Sequence, residues 1–255
     1  MKTALVTGGA TGLGRDLAIK LADRGVAVAI ADISANGLQE TVKQLAQINE
    51  NHLSITTDLT APGAPEQTID AVCAKWGHLD LLVNNAAYGG IEAFFESSAE
   101  LWNKTLAINV TALVMLTVAA GKVMRARRSG RIVNLTSPGA RMALPNYAAY
   151  SASKAAVDSF TRASAVALAP HGILVNSVSP GMMDTEMQRS TESRLAEVEN
   201  RPDLDVFLEE RTRRVPLGRR AEIGEVADVI VWLLLDAPAY MAAARVNVSG
   251  GLDKD

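Results

Sequence analysis

Short runs rich in valine, isoleucine and leucine recur along the chain, separated by stretches of ten or more residues with helical periodicity. The runs cover residues 3–7, 26–31, 52–56, 79–84, 131–136, 173–178 and 245–248. Each is nearly continuous in apolar residues rather than alternating, the mark of strands buried on both faces. The rhythm of strand, helix and strand predicts one doubly wound α/β domain: about seven parallel strands with helices on both faces. No internal repeat, low-complexity tract or linker divides residues 1–255, so a single domain is expected.

One segment breaks the rhythm. Residues 182–215 carry no strand pattern but many charges, including Glu192, Glu199, Asp203, Glu210, Arg211 and Arg214. Long excursions of this kind in compact domains are commonly lids or binding loops. Isolated apolar residues such as Leu195, Leu204 and Phe207 predict short docking helices. The expectation is a substrate lid ordered by its ligand rather than by a core of its own.

Composition narrows the function. Of 255 residues, 48% are hydrophobic and 4% aromatic, and 25 basic against 28 acidic side chains give a net charge of −3. That lacks the basic footprint and the stacking surface of a nucleic-acid binder. The single cysteine, Cys73, forms no internal disulfide, no secretory leader is read ahead of the first strand, and no apolar stretch reaches the roughly 20 residues of a membrane span. A soluble, cytoplasmic chain acting on a small molecule is expected, with neither nucleic acid nor membrane as partner.

Directly after the first run stands Gly8-Gly9-Ala10-Thr11-Gly12-Leu13-Gly14, with a helical pattern from about Leu13. Glycines there permit a tight turn and close approach of backbone N–H groups to a pyrophosphate at a helix N-terminus. The strict G-x-G-x-x-G spacing is not met, because Leu17 occupies the place of the third glycine. Asp32 follows the second run, 18 residues past Gly14, near the spacing of the acid that accepts from an adenosine ribose. Its carboxylate would repel a 2′-phosphate. Ile33, Ser34 and Ala35 offer no cation to receive one.

Tyr150 and Lys154 lie four apart in an alanine-rich helical pattern, on one helix face. An ammonium beside a phenol favours the phenolate and brings its pKa toward working range, making a usable acid/base. Ser137, thirteen residues upstream at the end of the fifth run, places a hydroxyl where it could hold a carbonyl oxygen. No G-x-S-x-G elbow occurs, and His52, His78 and His171 fall at no metal-binding spacing with Cys73, so no metal site is expected.

Together these motifs resemble the short-chain dehydrogenase/reductase family over almost the whole chain. Thr7, Gly8, Gly12 and Gly14 match its glycine turn, Asp58-Leu59 its adenine-contacting pair, and Asn84-Asn85-Ala86 its N-N-A segment, with Ala87 in place of glycine. Asn109, Ser137, Tyr150 and Lys154 match its catalytic tetrad, and Pro180, Gly181 and Thr185 the segment that holds the nicotinamide carboxamide. The resemblance implies a Rossmann-type fold, a dimer or tetramer, and NAD contacts that also take in Thr11, Leu13, Ile33 and Met183. It further implies that Asn109 holds a relay water and that Lys154 binds the nicotinamide ribose. Departures stand at Ala243 and Ser249, usually glycine and aspartate, and at Pro138. The expected reaction is hydride transfer between NAD(H) and a secondary alcohol or ketone. An NADPH-dependent 3-oxoacyl-carrier-protein-type ketoreductase and a non-catalytic dinucleotide sensor are the rival readings.

Overall fold

The computed structural model describes residues 1–253. Its strands are β1 (Thr3–Thr7), β2 (Ala27–Asp32), β3 (His52–Thr56), β4 (Leu81–Asn84), β5 (Gly130–Leu135), β6 (Ile173–Pro180) and β7 (Arg245–Val248). Helices are α1 (Gly12–Asp23), α2 (Ala35–Leu45), α3 (Ala64–Trp76), α4 (Ala99–Leu106), α5 (Leu113–Arg127), α6 (Ala148–Leu168), α7 (Glu186–Val198), α8 (Leu204–Arg213) and α9 (Ile223–Leu235). The strands form one parallel sheet in the order β3-β2-β1-β4-β5-β6-β7. Every strand falls within two residues of the position its apolar run predicts.

The continuous runs reflect a sheet covered on both faces. In β1, Ala4 and Val6 point to a layer built by Leu17 and Leu21 of α1 and by Val226, Ile230 and Leu234 of α9. Leu5 points the other way, to Val72 of α3, Leu116 and Met124 of α5 and Ala165 of α6. Burying each such large side chain contributes roughly 1.5–3 kcal/mol, and the burial pins the strand register because a one-residue slip would exchange the two faces.

A π-helical turn at Ala107–Ala112 joins α4 to α5. The resulting rod, Ala99–Arg127, is long and apolar enough to cross a membrane by length and composition, which corrects the expectation that no stretch is. Its apolar residues Leu116, Ala120 and Met124 belong to the core packed on the sheet.

β1 lies between β2 and β4, so the connections leaving β1 and β4 run to opposite sides and open a crevice at their C-terminal ends. Beyond β6, residues 182–215 fold into α7 and α8, as the scattered apolar residues predict. They have a core of their own, contrary to expectation: Leu195, Ala196 and Phe207 pack with Ile91 and Tyr147. Glu192, 0% exposed, pairs with Arg211 at 3.1 Å and Arg220 at 2.8 Å.

Candidate functional site

The crevice holds a cavity of about 570 Å³, lined by nearly all the residues that the sequence singles out. At its floor, Gly8 adopts φ +67°, and a Cβ at Gly14 would stand 2.0 Å from the Gly8 carbonyl oxygen. The turn therefore exists only because side chains are absent. The α1 N-terminus that follows has no side-chain cap from Thr11 and no acid in its first turn. Its first amides and the positive end of its dipole suit an anion. These features fit a dinucleotide pyrophosphate. Gly12 and Leu13 complete this wall, and Thr185 faces it, its Cγ2 3.5 Å from where a Gly12 Cβ would lie.

Thr7 stands behind the wall rather than in it. The residue is buried, its hydroxyl donating to Val83 O (3.3 Å) and accepting from the amides of Asn85 (3.0 Å) and Ala86 (3.1 Å). The expectation of direct cofactor contact is corrected to a bracing role: Thr7 fixes the Asn85–Ala86–Ala87 strip that lines the groove. Asn85 returns the tie, Nδ2 donating to Thr7 O and Gly8 O. Ala87 is absent from the residues with left-handed backbone, so replacing glycine there introduces no strain.

At one end of the groove Asp32 accepts from Ala10 N (3.1 Å) through Oδ2 and from Ser34 N (2.9 Å) through Oδ1. Both oxygens keep a free lone pair, and the carboxylate is held in a fixed orientation. Ile33, 71% exposed, presents apolar surface beside it. At the same end, just beyond the neighbouring β3, Asp58 accepts from the Thr60 amide and hydroxyl, bonds that hold its pKa below the ordinary carboxylate value, and Leu59 follows. Pro180, Gly181 and Met183 line the opposite end.

Ser137, Tyr150 and Lys154 enter the same cavity. Ser137 stands two residues past the end of β5 and caps the short turn Pro138–Ala140, its Oγ accepting from Gly139 N at 3.1 Å. Pro138 suits the first position of that turn, where no N–H is required. The Ser137 and Tyr150 side chains share a hydrogen bond. Lys154 is buried; its Nζ donates to Leu135 O at 2.8 Å and lies 5.8 Å from the Tyr150 ring centre.

The electrostatics differ from the simple expectation. Burial raises the Tyr150 phenol, with the Ser137 hydrogen bond opposing, and burial holds Lys154 down at about 8, with the Asp158 carboxylate opposing. At Tyr150 desolvation is the dominant effect on the phenol. Asn109 lies within the π-helical turn, outside the cavity lining. Its Nδ2 donates to Ser153 Oγ (2.9 Å) and Tyr88 O (3.0 Å), and Oδ1 accepts from Tyr88 N (2.7 Å). Both amide hydrogens are taken by protein, and the side chain braces the loop carrying Tyr88 against α6.

The enoyl-(acyl carrier protein) reductase family model matches residues 8–253. The chain belongs to the short-chain dehydrogenase/reductase family. Sorbitol dehydrogenase of Cereibacter sphaeroides is 32% identical to this dehydrogenase/reductase, over 98% of this chain and 96% of that one. A variant of actinorhodin polyketide ketoreductase with NADPH superposes with a TM-score of 0.95 at 34% identity, covering 100% of this chain and 98% of the other. An NAD⁺-bound xylitol dehydrogenase gives 0.94 at 31% identity, with 98% of each chain covered. The protein is thus an oxidoreductase with ketoreductase and alcohol dehydrogenase relatives, for which a nicotinamide dinucleotide is the expected cofactor.

Several residues of this dehydrogenase/reductase escape a reading of the sequence. Arg15 stands next to the glycine turn, but its Nε donates to Thr41 Oγ1 (3.0 Å) and its Nη2 to Ala10 O and Gly37 O, so it serves the fold beneath Asp32. Tyr147 packs edge-on against Tyr150, ring centres 6.3 Å apart, and burial pushes its phenol up to about 12. Lys104 lies over the Tyr88 ring at 4.3 Å and lines the cavity. None belongs to a local motif.

Proposed function

We propose that the protein transfers a hydride between NAD(H) and a secondary alcohol or ketone, with Tyr150 as the acid/base. The observation that carries this reading is the meeting in one cavity of Asp32, the glycine turn and the Ser137, Tyr150 and Lys154 side chains. Asp32 is oriented to accept from ribose hydroxyls and would repel a 2′-phosphate, while Arg15, next to the glycine turn, is committed to Thr41 and backbone carbonyls. These points favour NAD(H) over the NADPH-dependent 3-oxoacyl ketoreductase reading. A non-catalytic sensor would have no use for Ser137 and Tyr150 held together.

When bound, the nicotinamide supplies the acceptor or donor of hydride. Ser137 Oγ donates to the substrate oxygen and fixes its distance from Tyr150. Burial favours the protonated Tyr150 phenol, which gives its Oη proton to the substrate oxygen in reduction; in oxidation the phenolate form, favoured by the Lys154 ammonium, takes the hydroxyl proton. Lys154, anchored on Leu135 O, presents positive charge to the phenol and to the ribose. Asn109 stands one residue from the wall at Ile108, and we read it as the residue beside which the relay water that the family implies would sit. Residues 182–215 are read as the substrate lid, its α7 and α8 joined by the Glu192–Arg211 pair, with Glu192–Arg220 tying it to the chain beyond residue 215. Exposed Val118 on α5 and Val166 on α6 support a dimer or tetramer face there; light scattering giving a monomer of 27.0 kDa at micromolar concentration would defeat that assignment.

The test mixes the purified protein with NAD⁺ or NADP⁺ and a panel of secondary alcohols and follows reduced-cofactor absorbance. The expected preference for NAD(H) is about ten- to a hundredfold in kcat/KM, from charge repulsion and lost hydrogen bonds; equal values refute it. Tyr150→Phe removes one hydroxyl without emptying space and should abolish turnover while NADH binding persists. Activity within tenfold of the parent would exclude Tyr150 as the acid/base.

A further inference from the structure

Arg245 has no part in the chemistry above, yet it is built into the back of the site. It opens β7, its side chain is 11% exposed, and two carboxylates face it: Nε lies 3.2 Å from Asp158 Oδ2 and Nη2 2.5 Å from Asp253 Oδ2. The carboxylate side chains are 8% and 3% exposed, so neither pairing is a solvated surface contact. The same Nη2 donates to the Ser137 carbonyl oxygen at 3.0 Å and to Ser179 Oγ at 2.9 Å.

Four parts of the chain therefore converge on one guanidinium. They are the end of β5 through Ser137, β6 through Ser179, α6 through Asp158, and the segment after β7 through Asp253. Asp158 lies one turn beyond Lys154 on α6, the helix that also carries Tyr150. Beyond β7 the chain turns back, the Asp253 amide donating to Ser249 Oγ at 3.1 Å and Ser179 Oγ donating to Asp253 Oδ2 at 3.2 Å. Ser249, where the family usually carries aspartate, thus helps to deliver a different acid to the interior. The hydrogen bonds to Ser137 O and Ser179 Oγ and the pairing with Asp253 all fall on Nη2, while Asp158 is held by charge at 3.2 Å from Nε without a hydrogen bond and Nη1 has no hydrogen-bond partner among the described residues.

We propose that Arg245 is a positioning residue for hydride transfer: it locks the Ser137 end of β5 to the Tyr150 helix and makes the Asp253 segment part of the active-site support. The proposal rests on the reading of Ser137 and Tyr150 as the groups that hold and move the substrate proton. Its physical basis is that the Ser137 carbonyl and hydroxyl belong to one residue. A rotation of the β5 end that carried Oγ away from Tyr150 would break the bond from Nη2 and separate Arg245 from buried carboxylates, where loss of a partner is costly.

The full-length Arg245→Met and Asp253→Asn variants test this. NADH affinity is measured by fluorescence, kcat and KM with the alcohol the parent oxidises best, and amide hydrogen exchange on the ligand-free proteins. The expected result for Arg245→Met is a kcat reduced at least tenfold, NADH affinity within twofold of the parent, and faster exchange at both 136–141 and 249–253. Asp253→Asn should show the same pattern at about threefold. A folded Arg245→Met variant with kcat within twofold of the parent overturns the proposal. So does a variant in which kcat and NADH affinity fall together, as a purely structural role requires. If Arg245→Met does not fold, Asp253→Asn, which keeps the shape, decides by the same split. A parent that oxidises no alcohol sinks the proposed function alone; unchanged exchange at 136–141 in Arg245→Met would still refute the positioning role, and faster exchange there would support it.

Discussion

The cofactor groove and the 182–215 segment hold their shapes by different means. The groove is made of main chain: a turn in which a methyl group on Gly14 would collide with the Gly8 carbonyl, an uncapped helix N-terminus, and the strip braced by Thr7. The segment is made of side chains: Glu192 reaches Arg211, 19 residues on, and Arg220, 28 residues on, while the guanidinium groups of Arg201 and Arg211 lie 5.4 and 5.7 Å from the centre of the Phe207 ring. A main-chain device is written in a few consecutive residues. A side-chain device is written in residues that only the fold brings together. The first should be intolerant of added atoms and the second of lost partners.

The largest effect is expected where a partner is lost. Glu192→Ala would leave two mostly buried arginines without their shared carboxylate, and removing one member of such a pairing typically costs about 3–5 kcal/mol. The variant should unfold at markedly lower denaturant or temperature, with α7 and α8 losing hydrogen-exchange protection ahead of the sheet. A loss below about 1 kcal/mol would show that the apolar contacts of Leu195 and Phe207 suffice, and the contrast between the regions would fail.

Next comes the added atom. Gly14→Ala places a Cβ 2.0 Å from Gly8 O, closer than real contacts allow, so the turn must open. Overpacking of this kind typically costs about 1–3 kcal/mol. The diagnostic result is that NADH affinity falls by at least tenfold while residues 182–215 keep their exchange protection. Intact binding would mean that the groove tolerates a shifted backbone and is less dependent on main-chain geometry than Asp32 and the helix N-terminus alone can explain.

The same contrast separates what the sequence makes legible from what it does not. Seven strands could be placed because burial on both faces forces continuous apolar runs, and Leu5 and Val6 are selected for opposite layers of one core. Asp32, Ser137, Tyr150 and Lys154 could be named because each sits at a strand end or on one helix face at a fixed offset from a motif. Glu192, Tyr147 and Arg245 could not, since a charged or phenolic residue in a long excursion, in the turn ahead of a helix or on an edge strand looks solvated until its distant partners are known. Membership of the glycine motif points Thr7 at the cofactor, and only its hydrogen bonds reveal that it supports the wall from behind. The phenol of Tyr150 teaches a related point. Adjacency to a lysine predicts a lowered pKa, whereas burial of both groups reverses the direction.

The smallest effect concerns the two places where alanine replaces the glycine usual in the family, and they are expected to respond in opposite directions. Ala243 adopts φ +59°, its amide bonded to Val175 O at 2.9 Å, and so is held in the left-handed region just ahead of β7. An L-residue there costs roughly 1–2 kcal/mol, which glycine avoids, while glycine's greater freedom in the unfolded chain returns about 0.4–1 kcal/mol of that difference. Ala243→Gly should therefore stabilise by about 0.5–1 kcal/mol, or roughly 1–4 °C in Tm for a chain of this size, leaving kcat unchanged because the residue lies outside the cavity lining. Ala87 has ordinary backbone geometry, so Ala87→Gly gains no such relief and should destabilise by a few tenths of a kcal/mol to about 1 kcal/mol. Paired thermal melts of the two variants give the measurement. If both shift the same way, side-chain packing at Ala243, which contacts the layer of Leu5 and Val175, outweighs its backbone strain, and side chains govern even a position that family usage reserves for backbone freedom.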